Sequence, residues 1–570
     1  MPMPVATGAD PLVDTPDAVA ARTAAAWGHR EPDLLLKGAH VLLPTGELLR
    51  RDVAVVGSRI AAVAEDLSGG ERVVRLDGKT IVPAYFEPHT HALGPLSLGS
   101  YCGQALVHGV ATVISDDSFV YGFLGPEQYP PMLDAAARLP LLLRWSLRLE
   151  GPRTVPLSTV RELLRREDVV QVGELMARPV LEQVPEEVAA TLAAARSRGL
   201  RVEGHAPGAS PRTLAAAAAA GVGAEHESRR AEEVRERLRL GLWTPIRHTG
   251  MLPDAPEIVT AALADGISLE RASFATDWTL PPWIAKEGLI DAAVAAVIDA
   301  GLPAAEAHAC ASRRPAAYYG LDAHVGVVAP GRLAALNVLD DIEAPSPRRV
   351  FSQGREVARD GELLVRVPEV PWEEIGAPRW SERRRGPHLD SYRLLDDDPS
   401  IVLEAPSVVR MPTARPESPG IVCVAIDPDL ERISRARLHG PTASIAGVAS
   451  TLTPRRLLIA FGSDPQRIKD CVDVVFAMGG GIAYAQGNEL RRLSLPVGGV
   501  LTTASFDEIE AYWRDIGSHF ATQEEILSDP ISTMLYLGSD SIPGARFNAD
   551  GLIDTRTGRV LSAPQPIRWG

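Results

Sequence analysis

Cysteine is scarce in this chain of 570 residues. The four present (Cys102, Cys310, Cys423 and Cys471) are far apart and form no CxxC pair. That spacing argues against a disulfide framework or a zinc ribbon, and it favours a reducing, cytoplasmic setting. Positive charge is also short. A net charge of -15 argues against nucleic acid and against an anionic membrane surface as main partners. No apolar run of about 18 residues exists, so no membrane-spanning helix is expected. The opening stretch MPMPVATGADPLVDTPDAVAARTAAAWG has no basic segment followed by an apolar one, so no secretory signal is expected. Lysine is the rarest base: only Lys37, Lys79, Lys286 and Lys469 occur among 58 basic residues.

What is present is the composition of a folded protein, 45% hydrophobic and 23% charged. The length suits several domains. Residues 1–32 read as an N-terminal extension. Residues 33–82 are short alternating segments with turn signals, and residues 323–365 return to that texture. The two flanks are expected to fold together as a β-sandwich. Between them, residues 83–322 alternate short apolar runs with Ala/Leu/Arg-rich stretches of helical period, the pattern of βα units. Residues 366–400, rich in proline and charge, read as a linker. Residues 401–570 read as a further α+β domain, in which the glycines of AMGGGIAYA form a turn between helix and strand.

Eight strands are expected in the middle zone. They end at EPHTH (81–91), ATVISDD (111–117), LLLRWSLRLE (141–150), VVQVGELM (169–176), RVEGHAP (201–207), VGAEHE (222–227), LWTPIRHT (242–249) and RASFATDW (271–278). Eight βα units in this length make a TIM barrel, whose chemistry lies at the C-terminal ends of the strands. The polar residues fall at those ends. His89 and His91 point the same way from one strand. His205, His226 and Asp277 close three others. Such groups are costly there unless paired or ligated, so they read as a divalent-metal centre. Two metals need a bridging ligand. A carboxylated lysine could serve, but no lysine lies at a strand end near the fourth strand; Glu174 does. Its two oxygens can bridge two cations.

These segments resemble the amidohydrolase superfamily, and within it the adenine deaminases. The resemblance rests on VPAYFEPHTH, VGELM, VEGHAPG, AEHES and FATD, and on RRLLIAFGSDPQRIKDCVDVVFAMGGGIAYAQGNELRRLSLPVGGVLT, which is similar to the extra C-terminal domain of those enzymes. It implies that His89, His91 and Asp277 hold one metal, that His205 and His226 hold a second, and that Glu174 bridges with a shared hydroxide. The two divalent ions are expected to be Mn or Fe, or else Zn. Asp277 acts as general base and then acid, and His226 polarises the substrate. Arg247, His248, Trp278 and Glu150 are expected at the substrate, with Glu227 a weaker candidate. The segments after the first, second, seventh and eighth strands depart from the adenine deaminase pattern: Ala92-Leu93-Gly94, Asp116-Asp117-Ser118, Arg247-His248-Thr249 and Trp278 stand there. Leu93, Trp278, Pro281, Pro282 and Trp283 imply a more apolar mouth. Two activities stay open: deamination of adenine or a related amino-heterocycle, or hydrolysis of a cyclic amide or N-acyl substrate with an apolar group. The substrate is a small molecule, and a homo-oligomer (dimer or higher) is expected.

Overall fold

The fold is taken from a computed structural model that describes residues 10–149, 155–176, 184–250, 252–406, 408–414, 416, 418–441, 445–521, 527, 529–540 and 542–570. Its centre is a ring of eight parallel strands: β1 (Tyr85–Thr90), β2 (Val110–Ser115), β3 (Leu142–Leu147), β4 (Val169–Met176), β5 (Arg201–His205), β6 (Ala224–Glu225), β7 (Thr244–Arg247) and β8 (Ala272–Ala275). Ladders join β1 through β6 in sequence, and β7 to β8. Two single bridges, Ala224 to Trp243 and Thr90 to Asp277, complete the ring. Strands β1, β2 and β3 are buried on both faces, as strands covered by helices must be. Most strands leave the ladder up to three residues before the ends expected from the sequence. His91, His226 and Asp277 therefore sit just past the last ladder positions, where the chain turns over the rim.

The flanks do meet. Thr80–Pro83 pairs antiparallel with Leu336–Leu339 and joins both into one nine-stranded sheet. The strands of both flanks share this one hydrogen-bonded sheet and one core, in which Leu36 and Val53 join Val338 and Phe351. Leu34 and Leu36 enter one core while Leu35 enters another, as period-two alternation requires. The second core is closed by a helix from the N-terminal extension, Pro16–Ala26, through Ala21 and Ala25. Thr15 caps that helix by accepting from the Ala18 N–H, and Pro16 opens it.

The stretch expected as a linker is packed. Trp372, Trp380 and Tyr392 are buried, and Trp380 donates its indole N–H to the Arg456 carbonyl at 2.8 Å. Most of its charges face outward, while Trp380 and Tyr392 enter the C-terminal core. That core lies under the helix Pro465–Met478, whose Ile468, Val472, Val475 and Phe476 cover Val422, Val424 and Ala460 of a second nine-stranded sheet. Gly479 ends the helix at φ 77°, and the strand Gly481–Gln486 follows, so the glycine run is the helix-to-strand turn. The C-terminal domain reaches the barrel mouth through Phe506–Ala521, which packs on the short helix Pro281–Lys286 just after β8. Among the described residues, no helix is long and apolar enough to cross a membrane.

Candidate metal centre

The strand-end residues meet over the barrel axis. His89 Nε2 lies 3.4 Å from Glu174 Oε1 and 3.5 Å from Asp277 Oδ1. His91 Nε2 lies 3.5 Å and 3.3 Å from the same two atoms. The other oxygen of Glu174, Oε2, is 3.1 Å from His205 Nδ1. Glu174 thus stands between two groups of imidazoles. His226 and His205 face a further carboxylate: Glu227 Oε1 is 3.5 Å from His226 Nε2 and 3.1 Å from His205 Nδ1. Glu227, a weaker candidate in the sequence, thus faces both imidazoles of the second group.

Three sets of potential ligand atoms each fall within 4.8 Å of one another: His89, His91 and Asp277; His89, Glu174 and His226; His205, His226 and Glu227. His89 Nε2, His226 Nε2 and both ring nitrogens of His205 are buried without hydrogen-bond partners. Unpartnered buried polar atoms are expensive. Ring nitrogens turned toward carboxylates fit divalent cations, and the N/O donor set suits Mn, Fe or Zn. The electrostatics agree. Burial opposes charge on His91, but Asp277 and Glu174 outweigh it and raise the imidazole to about 10. Burial likewise opposes charge on His226, yet Glu203 and Glu227 raise it to about 9. Burial would raise Asp277, but His89, His91 and Arg247 hold it well below the usual carboxylate range.

A supporting layer fixes these groups. Glu203 takes His89 Nδ1 at 2.9 Å and His226 Nδ1 at 3.0 Å. Burial opposes its ionisation, but the two imidazoles hold it down to about 2. His91 Nδ1 meets the Asp116 carbonyl. Glu87 accepts the backbone N–H groups of His89 and Thr276. Arg148 Nη2 lies 3.1 Å from Glu174 Oε2, and its Nε donates to Asp116 at 3.4 Å. Sequence reasoning passed over Glu203 and Arg148. Glu203 had a local signal, since it lies two positions before His205 on one strand. Arg148 had none beyond its place near the end of β3.

The residues expected at the substrate take different places. Arg247 donates to Glu227 at 2.7 and 3.1 Å and to Asp277 Oδ2 at 2.8 Å, so it is a counter-ion to two site carboxylates. His248 is buried edge-on to Trp283, with ring centroids 5.7 Å apart. Trp278 leans on His91 at 6.3 Å and lies over Gly94, where a Cβ would stand 2.7 Å from the indole. Glu150 lies outside the described residues. Tyr536, from the C-terminal helix Pro530–Leu537, feels the charges of Asp277, Arg247 and Glu227, and burial raises its phenol.

The amidohydrolase family profile matches residues 80–357, and the adenine deaminase C-terminal domain profile matches residues 412–559. The chain is 28% identical to an adenine deaminase of Dehalococcoides mccartyi (strain CBDB1), over 94% of this chain and 97% of that protein. It is 28% identical to an adenine deaminase of Methanothrix thermoacetophila, with the same shares covered. Among solved structures it is similar to a β-aspartyl dipeptidase of Fervidobacterium islandicum AW-1 (TM-score 0.48, 18% identity, 58% of this chain and 98% of that one). With both profiles and the buried histidine–carboxylate mouth in one chain, the protein carries an amidohydrolase family domain and the adenine deaminase C-terminal domain, and is a metal-dependent hydrolase of C–N bonds.

Proposed function

We propose that this hydrolase deaminates adenine or a related amino-heterocycle, giving the oxo product and ammonia. The observation that carries the reading is the set of buried, unpartnered imidazole nitrogens turned on Glu174, Asp277 and Glu227. Relatives of matching length named adenine deaminase supply the substrate class. His89, His91 and Asp277 would hold one divalent ion and His205 and His226 a second, with Glu174 between them; the family favours Mn or Fe. When bound, such ions make water acidic enough to yield hydroxide near neutral pH.

The residues of the chain do the rest. Asp277 accepts the proton lost by the attacking water and returns it to the departing nitrogen. Arg247, donating to Oδ2, keeps that carboxylate ionised and oriented. His226 polarises the substrate. Trp278 against His91, and His248 edge-on to Trp283, put aromatic rings after the strand ends that suit a flat substrate. The same rings, with the wholly buried Leu93 two positions after His91, favour a second reading: a cyclic amide or N-acyl compound with an apolar group.

Ammonia release from adenine by Mn(II)-reconstituted protein, with a metal count, tests the proposal. Hypoxanthine and ammonia with two metals per chain is the expected result. Two metals without ammonia would discard adenine in favour of the second reading. Failure to take up metal would overturn both.

A further inference from the structure

Beneath the histidines, one carboxylate serves both halves of the centre. Glu203 is fully buried. Its Oε2 is 2.9 Å from His89 Nδ1, and its Oε1 is 3.0 Å from His226 Nδ1. The two imidazoles stack with centroids 4.0 Å apart. The carboxylate is itself held. Gln171 Nε2 donates to Oε2 at 2.6 Å, and the Tyr319 hydroxyl lies 3.0 Å from Gln171 Oε1 and 2.7 Å from the Pro88 carbonyl.

We propose that Glu203 is a positioning residue that couples the two metal sites, fixing the tautomer of one ligand histidine in each. The inference rests on the two-metal reading. An ionised carboxylate only accepts hydrogen bonds, so both histidines must present Nδ1–H to it. Each then keeps its Nε2 lone pair for the mouth. His89 Nε2 faces Glu174 and Asp277, and His226 Nε2 faces Glu227. A glutamine here has one acceptor and one donor. It satisfies one histidine in this tautomer and forces the other to carry its proton on Nε2, where no lone pair remains for a metal. Had Glu203 only filled space, the near-isosteric amide would change nothing at the mouth.

The test is Mn(II) titration of metal-free full-length protein, read by metal count and by electron paramagnetic resonance. The wild type is expected to take two ions per chain as a spin-coupled pair. Glu203→Gln is expected to keep one and to bind the other about 10–100-fold more weakly, the usual scale for losing a partner behind a ligand. Its spectrum becomes that of isolated Mn(II), while the circular dichroism of the metal-free protein is unchanged. Glu203→Asp keeps two acceptors on a shorter arm and is expected to fall between the two. Glu203→Gln binding two ions with wild-type affinity, or binding more tightly than Glu203→Asp, overturns the coupling while the two-metal reading stands. A wild type that takes fewer than two ions overturns the reading, and the coupling with it.

Discussion

The barrel mouth and the C-terminal sheet are both densely buried, yet they are built of opposite materials. Under the helix Pro465–Met478, Val422, Val424, Ala460, Val475 and Phe476 meet, and their burial is favourable in itself. At the mouth, four imidazoles, the carboxylates of Glu174, Glu203, Glu227 and Asp277, and the guanidinium of Arg247 crowd within hydrogen-bond range. Burying that many charges is costly unless each is paired or ligated. Among the described residues, all three potential metal sets lie at the mouth. One region lowers free energy by burial, and the other keeps expensive groups because chemistry requires them.

The comparison can be broken by substitution. The largest effect is expected at the mouth. Asp277→Asn should lower kcat for ammonia release about 10²–10⁴-fold, the scale of lost general acid–base catalysis, with little change in unfolding by circular dichroism. A variant with normal turnover would remove Asp277 from proton transfer. Glu174→Ala should leave well under two metals per chain by mass spectrometry of the dialysed protein; two retained metals would end its bridging role. The opposite pattern is expected in the sheet core. Phe476→Ala, which removes a ring stacked edge-on to Trp380 at 5.0 Å, should cost about 3–5 kcal/mol in denaturant unfolding, while metal content in the folded protein stays at the wild-type level.

A pH series sharpens the contrast. With His91 raised to about 10 and His226 to about 9, the metal-free mouth binds protons more tightly than the unfolded chain. That stability is fully present below pH 6.5 or so, the ordinary histidine value, and is lost as pH rises through about 9 and 10. Metal uptake displaces the same protons, so Mn(II) affinity should rise with pH over this range. Titration calorimetry in buffers of different ionisation enthalpy would count the protons released, and an absence of release would contradict the ligand assignment. The smallest effect is expected where the two regions touch. Tyr536→Phe should change kcat or KM by about 2–10-fold, the worth of one hydrogen bond, with unaltered metal content.

The barrel was legible because βα alternation repeats eight times and places a polar residue at the end of most strands. Histidine pairs such as His89 and His91 announce themselves through strand periodicity. The surroundings were harder to read. The stretch 366–400 resembled a linker because proline and charge dominate its composition, but Trp372, Trp380 and Tyr392 bury it. Arg247 looked like a substrate contact at its strand end, yet its hydrogen bonds run to Glu227 and Asp277. No local pattern encodes which partners a guanidinium finds across a barrel.

By itself, the sequence determined the alternation that closes the barrel, the strand-end positions of the imidazoles and carboxylates, and the departures that set Leu93 and Trp278 next to strand ends. These are local facts, set by period, residue type and turn position. Tertiary structure alone decided that Glu203 joins His89, 114 residues away, to His226, 23 residues away, and that a C-terminal helix brings Tyr536 toward Asp277. The reason is physical. Periodicity sets which face of a strand a side chain occupies, but only closure of the ring and docking of the domains set which faces meet.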